Sequence, residues 1–214
     1  MIKRRLCVED TLLKLAIIYA VEAYIVRQRL KIRDEYEQLI EELELSIVSI
    51  TMSYISLEGF ANSIGLEYYG NHPDEERQKK WWRNWKGNIN SKPLSELDLL
   101  SKLNNLIKEV SRLNPKINTK RSFPSKLKKR IEQMTDVRNS LIHYKAESYE
   151  ENKLKQLKDG RLVTPEFNIY NFNTAKEFLV TYKSVVYEFD KNSRRKYGIN
   201  VDRIFRDYGQ NIII

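Results

Sequence analysis

The sequence predicts an all-α protein, a bundle of four to six helices, on three observations. Glycine and proline are scarce, at 7 and 5 of 214 residues, which argues against a turn-rich β-sandwich. Neither residue occurs before Gly59. Apolar residues recur at helical spacing along most of the chain. We therefore expect one domain over residues 1–214, with a helical insertion at about 70–93, a C-terminal extension at about 194–214 and a small β-hairpin turning at Asp159-Gly160.

The chain up to Gly59 is predicted to form one or two long helices. The first begins near Asp10, which is a favourable N-cap residue, and a turn or solvated stretch is expected within residues 30–40. No charged residue occurs between Glu44 and Glu58. A helix without a charged face belongs in the centre of a bundle, and the small hydroxyl side chains of this stretch allow neighbouring helices to approach closely.

The remaining helices are predicted from proline, capping residues and apolar spacing. They are expected over residues 73–87 in the insertion, from Ser95 to Leu113, from Pro124 to about Tyr144, and onward from Thr174 as the N-cap. The tail from Arg194 ends in three isoleucines. Because such an end is too apolar for water, we expect it to dock on the body of the protein or on a partner.

Composition excludes several classes of site. A single cysteine, Cys7, rules out an intramolecular disulfide and a cysteine-based zinc site. With only two histidines, His72 and His143, we expect neither a metal nor a cofactor. No apolar stretch approaches the ~20 residues of a membrane span, and Glu9 and Asp10 interrupt the apolar N-terminal segment early. These features predict a cytoplasmic protein that does not enter the membrane.

The net charge of +9 is unevenly distributed. Residues 1–70 contain 8 basic and 11 acidic residues, whereas the remainder contains 30 basic and 18 acidic residues. A positive excess confined to one part of the chain favours a polyanionic partner such as RNA. The alternative is that the charge serves only solubility.

The segment from Pro124 to Tyr144 carries the most informative pattern. Its apolar stripe consists of Leu127, Ile131, Met134 and Leu141. Arg138 stands between Met134 and Leu141, where the pattern asks for an apolar residue. An arginine on an apolar stripe loses hydration and needs a partner.

Polar residues flank Arg138 on the same segment. Asn139 and His143 are four residues apart and share a face, with Asp136 one turn earlier, so that Asn139 can hydrogen-bond the imidazole and fix its tautomer. Arg138 and His143 are five residues apart, about 140° around an ideal helix. Either the helix distorts or ends near His143, or the two groups meet through a second copy of the chain.

These residues resemble the signature of the HEPN superfamily, in which arginine, a polar residue and, after a short spacer, histidine lie late in a bundle helix. The matching run here is Arg138 to His143. Upstream, residues 56–62 (Ser-Leu-Glu-Gly-Phe-Ala-Asn) resemble the acidic-aromatic-Asn stretch of an earlier helix in many such domains. The resemblance extends over roughly residues 8–190, although these two stretches carry it. In one toxin branch a tyrosine stands two positions after the histidine; here Lys145 has that place and Tyr144 precedes it.

The resemblance implies an HEPN-like bundle that dimerises, bringing two Arg-polar-His motifs into one cleft. Many such domains are metal-independent endoribonucleases in toxin–antitoxin, phage-defence and RNA-processing systems. It thus implies RNA, a second copy of the chain and a cognate antitoxin or other regulatory protein as partners. Arg138, Asn139 and His143 are the catalytic candidates, and Glu58, Asp136 and Tyr144 the orienting or supporting ones. Other HEPN domains are catalytically silent, and the chain would then bind RNA or a partner protein.

The chemistry is reasonable on the residues alone. RNA carries its own nucleophile, the 2′-hydroxyl, and a histidine can remove its proton or protonate the leaving 5′-oxygen. An arginine can pair with the phosphate and stabilise the charge of the transition state. The products would be a 2′,3′-cyclic phosphate and a 5′-hydroxyl, and DNA should resist cleavage. The alternative is that His143 caps a helix and Arg138 bridges to an acid such as Glu58.

Two further basic groups are candidates for RNA binding. One precedes the motif, where Lys126, Lys128, Lys129 and Arg130 could follow the phosphate backbone, or form an ordinary solvated helix face. The other lies in the insertion, where Lys79, Lys80 and Arg83 surround a tryptophan run at residues 81–85. Those tryptophans could stack on unpaired bases, or anchor the insertion to the bundle.

Overall fold

The computed structural model describes residues 8–29, 35–71, 73–82, 92–114, 122–142, 154–157, 160–193 and 196–209. Within these ranges the chain is almost entirely helical, which confirms the all-α prediction. The helices are α1 (Val8–Gln28), α2 (Glu35–Gly65), α3 (Glu75–Trp82), α4 (Leu99–Arg112), α5 (Ser125–Ile142), α6 (Glu166–Ile169), α7 (Phe172–Asn192) and α8 (Gly198–Tyr208). None of these described helices is both long enough and apolar enough to cross a membrane.

Helices α1 and α2 form an antiparallel hairpin whose contact surface is made of small residues. The Ser49 hydroxyl donates to the Ala16 carbonyl at 2.7 Å, and the Ser56 hydroxyl donates to the Glu9 carbonyl at 2.7 Å. These bonds satisfy hydroxyl groups that burial would otherwise leave without water. Ser49 and Ser56 therefore lie where α1 and α2 approach closely, as the sequence predicts for the hydroxyl residues of this stretch.

Helix α7 lies against α1, α2, α4 and α5 and supplies much of the core. Its Phe189 ring meets Phe60 of α2 edge-on, with centroids 5.5 Å apart, and Tyr197 packs edge-on against the same Phe60 ring at 5.7 Å. Helix α8 then buries Val201 and Ile204 against the bundle. The C-terminal extension thus contains a helix from Gly198 to Tyr208, while the isoleucine tail lies outside the described residues.

The insertion is anchored through Trp81, which is 2% exposed. Its ring stacks on that of Tyr69 at 6.4 Å and lies over Gly65, where a Cβ atom would overlap it. Between Gly65 and α3 the chain forms a π-helical turn, Leu66–Gly70. These contacts favour the anchoring interpretation for Trp81, whereas Trp82 is exposed and Trp85 and Gly87 lie outside the described residues.

Two helix starts differ from the sequence prediction. Helix α4 is capped by Asp98, whose side chain accepts from the Ser101 amide, and Ser95 lies in a preceding 3-10 turn. Helix α7 is capped by Asn171 rather than Thr174. Each of these segments contains more than one residue that can cap a helix. The cap is formed by the residue whose side-chain oxygen accepts a hydrogen bond from the backbone amide two or three positions further along the chain.

The predicted β-hairpin is present. Strand β1 (Lys155–Gln156) pairs antiparallel with β2 (Leu162–Val163). Gly160 lies between them with φ +86°, a left-handed conformation that glycine adopts without a steric penalty.

Candidate functional site

The apolar stripe of α5 directs Arg138 toward the junction of α2, α4 and α5. Leu127, Ile131 and Met134 are buried, and Arg138, one turn further along, is half-buried. This confirms that the arginine occupies a position of the core-facing stripe. The last helical residue described is Ile142, so His143 and Tyr144 lie outside the described residues and their predicted roles stay predictions.

Arg138 is held by an aromatic ring and by its neighbour in sequence. Its guanidinium carbon lies 5.3 Å from the centroid of the Tyr54 ring, within the range of a cation–π contact. Its Nη1 donates to Oδ1 of Asn139 at 3.1 Å. Among the described residues no carboxylate lies within 4 Å of the guanidinium. The cation is therefore oriented without being neutralised.

Tyr54 forms the floor under the guanidinium. It is buried on α2, and burial raises the pKa of its hydroxyl, with a smaller contribution from the charge of Glu58. The phenol is therefore neutral at physiological pH. A neutral ring that is fixed by packing gives the guanidinium a rigid support.

Glu58 does not make the expected contact with Arg138. Its carboxylate lies 4.0 Å from Nζ of Lys102 on α4, and Lys102 donates to Oδ1 of Asn62 at 2.8 Å. Glu58 and Asn62 are one helical turn apart on α2, so the two residues hold one ammonium group between them. The predicted contact between Glu58 and Arg138 is therefore not formed, because the Glu58 carboxylate lies near the ammonium group of a buried lysine on a third helix.

Lys102 is the member of this site that the sequence analysis missed. Its side chain is 2% exposed, and burial lowers its pKa, while the negative charges of Glu58 and Asp98 oppose that shift. Lys102 lies between Leu99 and Leu106 on the buried side of α4. A charged residue on an apolar stripe is the feature that singled out Arg138. The same feature is present at Lys102 and would have identified it from the sequence.

Asp98 completes the group of charged residues at this junction. Burial alone would raise the pKa of this carboxyl, but hydrogen bonds from the Ser101 amide and hydroxyl and from nearby backbone amides lower it below its ordinary value. Among the described residues, the junction thus includes two cations, Arg138 and Lys102, and two anions, Glu58 and Asp98. Lys102 lies 4.0 Å from the Glu58 carboxylate, whereas Arg138 has no carboxylate within 4 Å among the described residues.

The two remaining candidates on α5 are exposed. Asn139 accepts from Arg138, so its Oδ1 atom positions the guanidinium in addition to any role toward His143. Asp136 is exposed and lies about 160° around the helix from Arg138. It therefore does not share the face that Arg138 presents to Tyr54.

The basic residues that precede the motif do not form one stripe. Lys126 and Arg130 are one turn apart and share a face, whereas Lys128 lies about 160° around the helix from both. Arg130 also pairs with Glu177 of α7, at 3.6 Å. These basic residues therefore lie on more than one face of α5, and RNA binding by them stays a prediction.

Arg130 lies at the rim of an open groove of about 400 Å³ between α5 and α7. The lining includes the apolar side chains of Met134, Val137 and Phe178 and the polar side chains of Gln133 and Asn173. This groove lies on the side of α5 that faces α7, and Tyr54 of α2 is not among its lining residues.

The basic residues of the insertion are only partly available. Lys79 pairs with Glu76 at 2.9 Å, and Lys80 is half-buried. Arg83 lies outside the described residues. Within the part of the chain that the structure describes, no group of three His, Cys, Asp or Glu side chains is arranged to hold a metal ion.

Comparisons of this chain with family models, curated proteins and solved structures found no match. The HEPN resemblance is therefore carried by the two sequence motifs alone.

Proposed function

We propose that the protein is a metal-independent endoribonuclease of HEPN type in which Arg138 binds the scissile phosphate and His143 transfers a proton. The observation that carries the proposal is the state of Arg138. It is half-buried, stacked on Tyr54 and bonded to Asn139, with no carboxylate within 4 Å among the described residues. The biological setting that the motif suggests is toxin–antitoxin control, phage defence or a stress response.

A half-buried guanidinium with no carboxylate within 4 Å in the described part of the chain is costly for the folded protein. Burial removes part of its hydration, and a cation–π contact recovers only about 0.5–2 kcal/mol. A phosphate would supply the missing charge through two parallel N–H···O bonds. Because the ring of Tyr54 and the amide of Asn139 already fix the guanidinium, little ordering remains to be done when the phosphate arrives.

Catalysis requires a proton acceptor and a proton donor besides the arginine. His143 follows directly after the last described residue of α5 and is the nearest residue in sequence that titrates close to neutral pH. One histidine can serve as acid or base, and a second copy of the chain would supply the other. Attack by the 2′-hydroxyl then gives a 2′,3′-cyclic phosphate and a free 5′-hydroxyl.

The proposal is tested with end-labelled single-stranded and structured RNAs in excess chelator. Wild-type protein is compared with Arg138→Ala, Arg138→Lys and His143→Ala. Arg161→Ala is the matched control, because the Arg161 guanidinium lies 4.5 Å from the Tyr36 ring and its removal deletes the same kind of contact elsewhere. Product ends are identified by treatment with a phosphatase and a cyclic-phosphate-specific enzyme.

We expect cleavage by wild type and by the Arg161 variant at equal rates. Arg138→Ala should slow cleavage about 100-fold or more, the usual effect of removing one transition-state donor. Retarded but uncut RNA would instead support a catalytically silent module that binds RNA. An Arg138→Ala enzyme with the wild-type rate would refute the role assigned to the guanidinium.

A further inference from the structure

We propose that Lys102 is a positioning residue that holds the Glu58 carboxylate away from Arg138, so that the guanidinium stays open to a phosphate. The inference rests on the proposed function for its consequence, the capture of an RNA phosphate by Arg138. The arrangement of the charged groups is argued from the junction of α2, α4 and α5 alone.

Glu58 lies within reach of the ring that supports Arg138. The guanidinium carbon is 5.3 Å from the centroid of the Tyr54 ring, and Glu58 follows Tyr54 by four residues on α2. Residues four apart on a helix have Cβ atoms about 5–6 Å apart. The Glu58 side chain is 42% exposed, so neighbouring atoms leave it room to change rotamer. Without a second cation nearby, this carboxylate would turn toward the guanidinium.

The two charges already act on one hydroxyl group. Burial is the main cause that raises the pKa of Tyr54. The negative charge of Glu58 raises this pKa further, while the positive charge of Arg138 lowers it. A carboxylate and a guanidinium that influence the same hydroxyl group lie within electrostatic range of each other. Glu58 is thus a natural competitor for the site that a phosphate would occupy.

Lys102 supplies the competing cation from a third helix. Its Nζ atom lies 4.0 Å from Oε1 of Glu58 and donates to Oδ1 of Asn62 at 2.8 Å. The Lys102 side chain is 2% exposed, so the packing of the bundle fixes the position of its ammonium group. Such a group, removed from water, attracts a carboxylate more strongly than an exposed one does. Glu58 is therefore directed toward α4 rather than toward Arg138.

The second anion described at the junction is held in another way. Asp98 caps α4 and accepts from the Ser101 amide at 2.9 Å. Its carboxylate is therefore committed to the end of the helix, where the backbone amides favour negative charge. Each of the two carboxylates described at this junction thus has a partner other than Arg138.

Packing alone does not require a lysine at this position. Leu99 and Leu106 are buried on the same side of α4, and a methionine would fill a similar volume between them. A buried ammonium group loses hydration, and the exchange of a buried charge for an apolar residue is often neutral for stability. The charge of Lys102 is explained instead by its effect on Glu58 and, through Glu58, on Arg138.

The size of the effect follows from competition between two anions. A phosphate binds only those molecules in which Glu58 has not captured Arg138, so its apparent affinity falls with their fraction. A Glu58–Arg138 pair that is formed roughly nine-tenths of the time leaves about one tenth of the molecules competent. Removal of the Lys102 charge should therefore lower kcat/KM for RNA about tenfold.

The first test needs no RNA and measures the reaction of Arg138 with phenylglyoxal, which modifies guanidinium groups. Mass spectrometry follows the labelling of the Arg138 peptide in wild type, Lys102→Met, Lys102→Gln and the double variant Lys102→Met/Glu58→Gln. Lys108→Met is the matched control, because Lys108 is exposed on the same helix and its removal changes the net charge equally. Circular dichroism and urea unfolding show whether each variant keeps the fold.

We expect Arg138 to react about tenfold more slowly in both Lys102 single variants, because the carboxylate then covers the guanidinium. The double variant and Lys108→Met should react at the wild-type rate. Restoration by Glu58→Gln separates the proposal from a general structural effect, which would not depend on the charge of Glu58. Unchanged labelling in a folded Lys102 variant, or slow labelling that Glu58→Gln does not restore, would overturn the proposal.

The second test measures kcat/KM of the same variants on an RNA that the wild-type protein cuts. A loss of about tenfold in Lys102→Met that Glu58→Gln restores supports the positioning role. An undiminished kcat/KM in Lys102→Met leaves the ribonuclease standing and overturns that role. The expected labelling pattern in a protein that cuts no RNA leaves the role of Lys102 toward Arg138 standing and removes the ribonuclease.

Discussion

Gly65 and Trp81 form a pair whose replacement tests how the insertion is attached to the bundle. The Trp81 ring lies where a Cβ atom on residue 65 would be, against three ring carbons. Gly65 itself has ordinary helical angles, φ −60° and ψ −42°. The glycine is therefore required by the close approach of the ring, and its backbone conformation would suit alanine.

The magnitude follows from these two facts. Gly65→Ala must expel a tryptophan that is 2% exposed, at a cost of about 3–5 kcal/mol. Alanine recovers about 1 kcal/mol of helix propensity, so the net loss of unfolding free energy should be about 2–4 kcal/mol. In a Trp81→Ala background the clash is absent, and the same Gly65→Ala change should stabilise the protein by up to about 1 kcal/mol.

The assay is a double-mutant cycle with urea unfolding followed by far-UV circular dichroism. The expected coupling energy is about 3–5 kcal/mol, and the effect of Gly65→Ala changes sign between the two backgrounds. If Gly65→Ala destabilises both backgrounds equally, Trp81 does not pack over residue 65 and the described attachment of the insertion is incorrect.

Three further changes test the junction and the helix caps by the same unfolding assay. Lys102→Met should leave the unfolding free energy at pH 7 unchanged or raise it, because it removes a buried charge and leaves behind the Glu58 carboxylate, whose side chain is 42% exposed and solvated; a loss above about 2 kcal/mol would contradict this. Since burial lowers the pKa of Lys102 from 10.5, wild type should gain stability relative to that variant as the pH rises toward 10.5. Asp98→Ala should cost about 1 kcal/mol at pH 7, and the cost should shrink as the pH falls below 3.8 because the folded-state pKa of Asp98 is lowered; a cost that persists in acid would oppose the capping role. Asn171→Ala should cost about 1 kcal/mol, since its side chain accepts from two amides, and an unchanged midpoint would contradict that cap.

The helices and the position of Arg138 on the core-facing side of α5 could be predicted because both depend on the spacing of residues that are close together in the sequence. Apolar periodicity depends only on residues within a few turns, and an arginine that interrupts the stripe remains visible whatever the helix packs against. The predicted helix from Pro124 to Tyr144 therefore agrees closely with the described extent of α5, Ser125–Ile142.

The partners of charged groups could not be predicted in the same way. Whether Glu58 meets Arg138 or Lys102 depends on how three helices are rotated about their axes, and sequence spacing within α2 or α5 does not contain that information. Lys102 interrupts the apolar stripe of α4, but the sequence alone does not show that its side chain is buried. Moving one or two positions along a helix is enough to change a side chain from the buried face to the exposed face. The Asp98 cap shows the same limit at a helix end.

The central claim, that the chain cleaves RNA through its own 2′-hydroxyl at the Arg138 site, is tested most directly with two substrates. One is an RNA that the wild-type protein cuts at a known position, and the other is the same strand with a single 2′-deoxynucleotide at that position. We predict that the RNA is cut in excess chelator to a 2′,3′-cyclic phosphate and that the substituted strand stays intact at that position. Cleavage of both strands, or failure of the protein to cut any tested RNA in excess chelator, would contradict the claim.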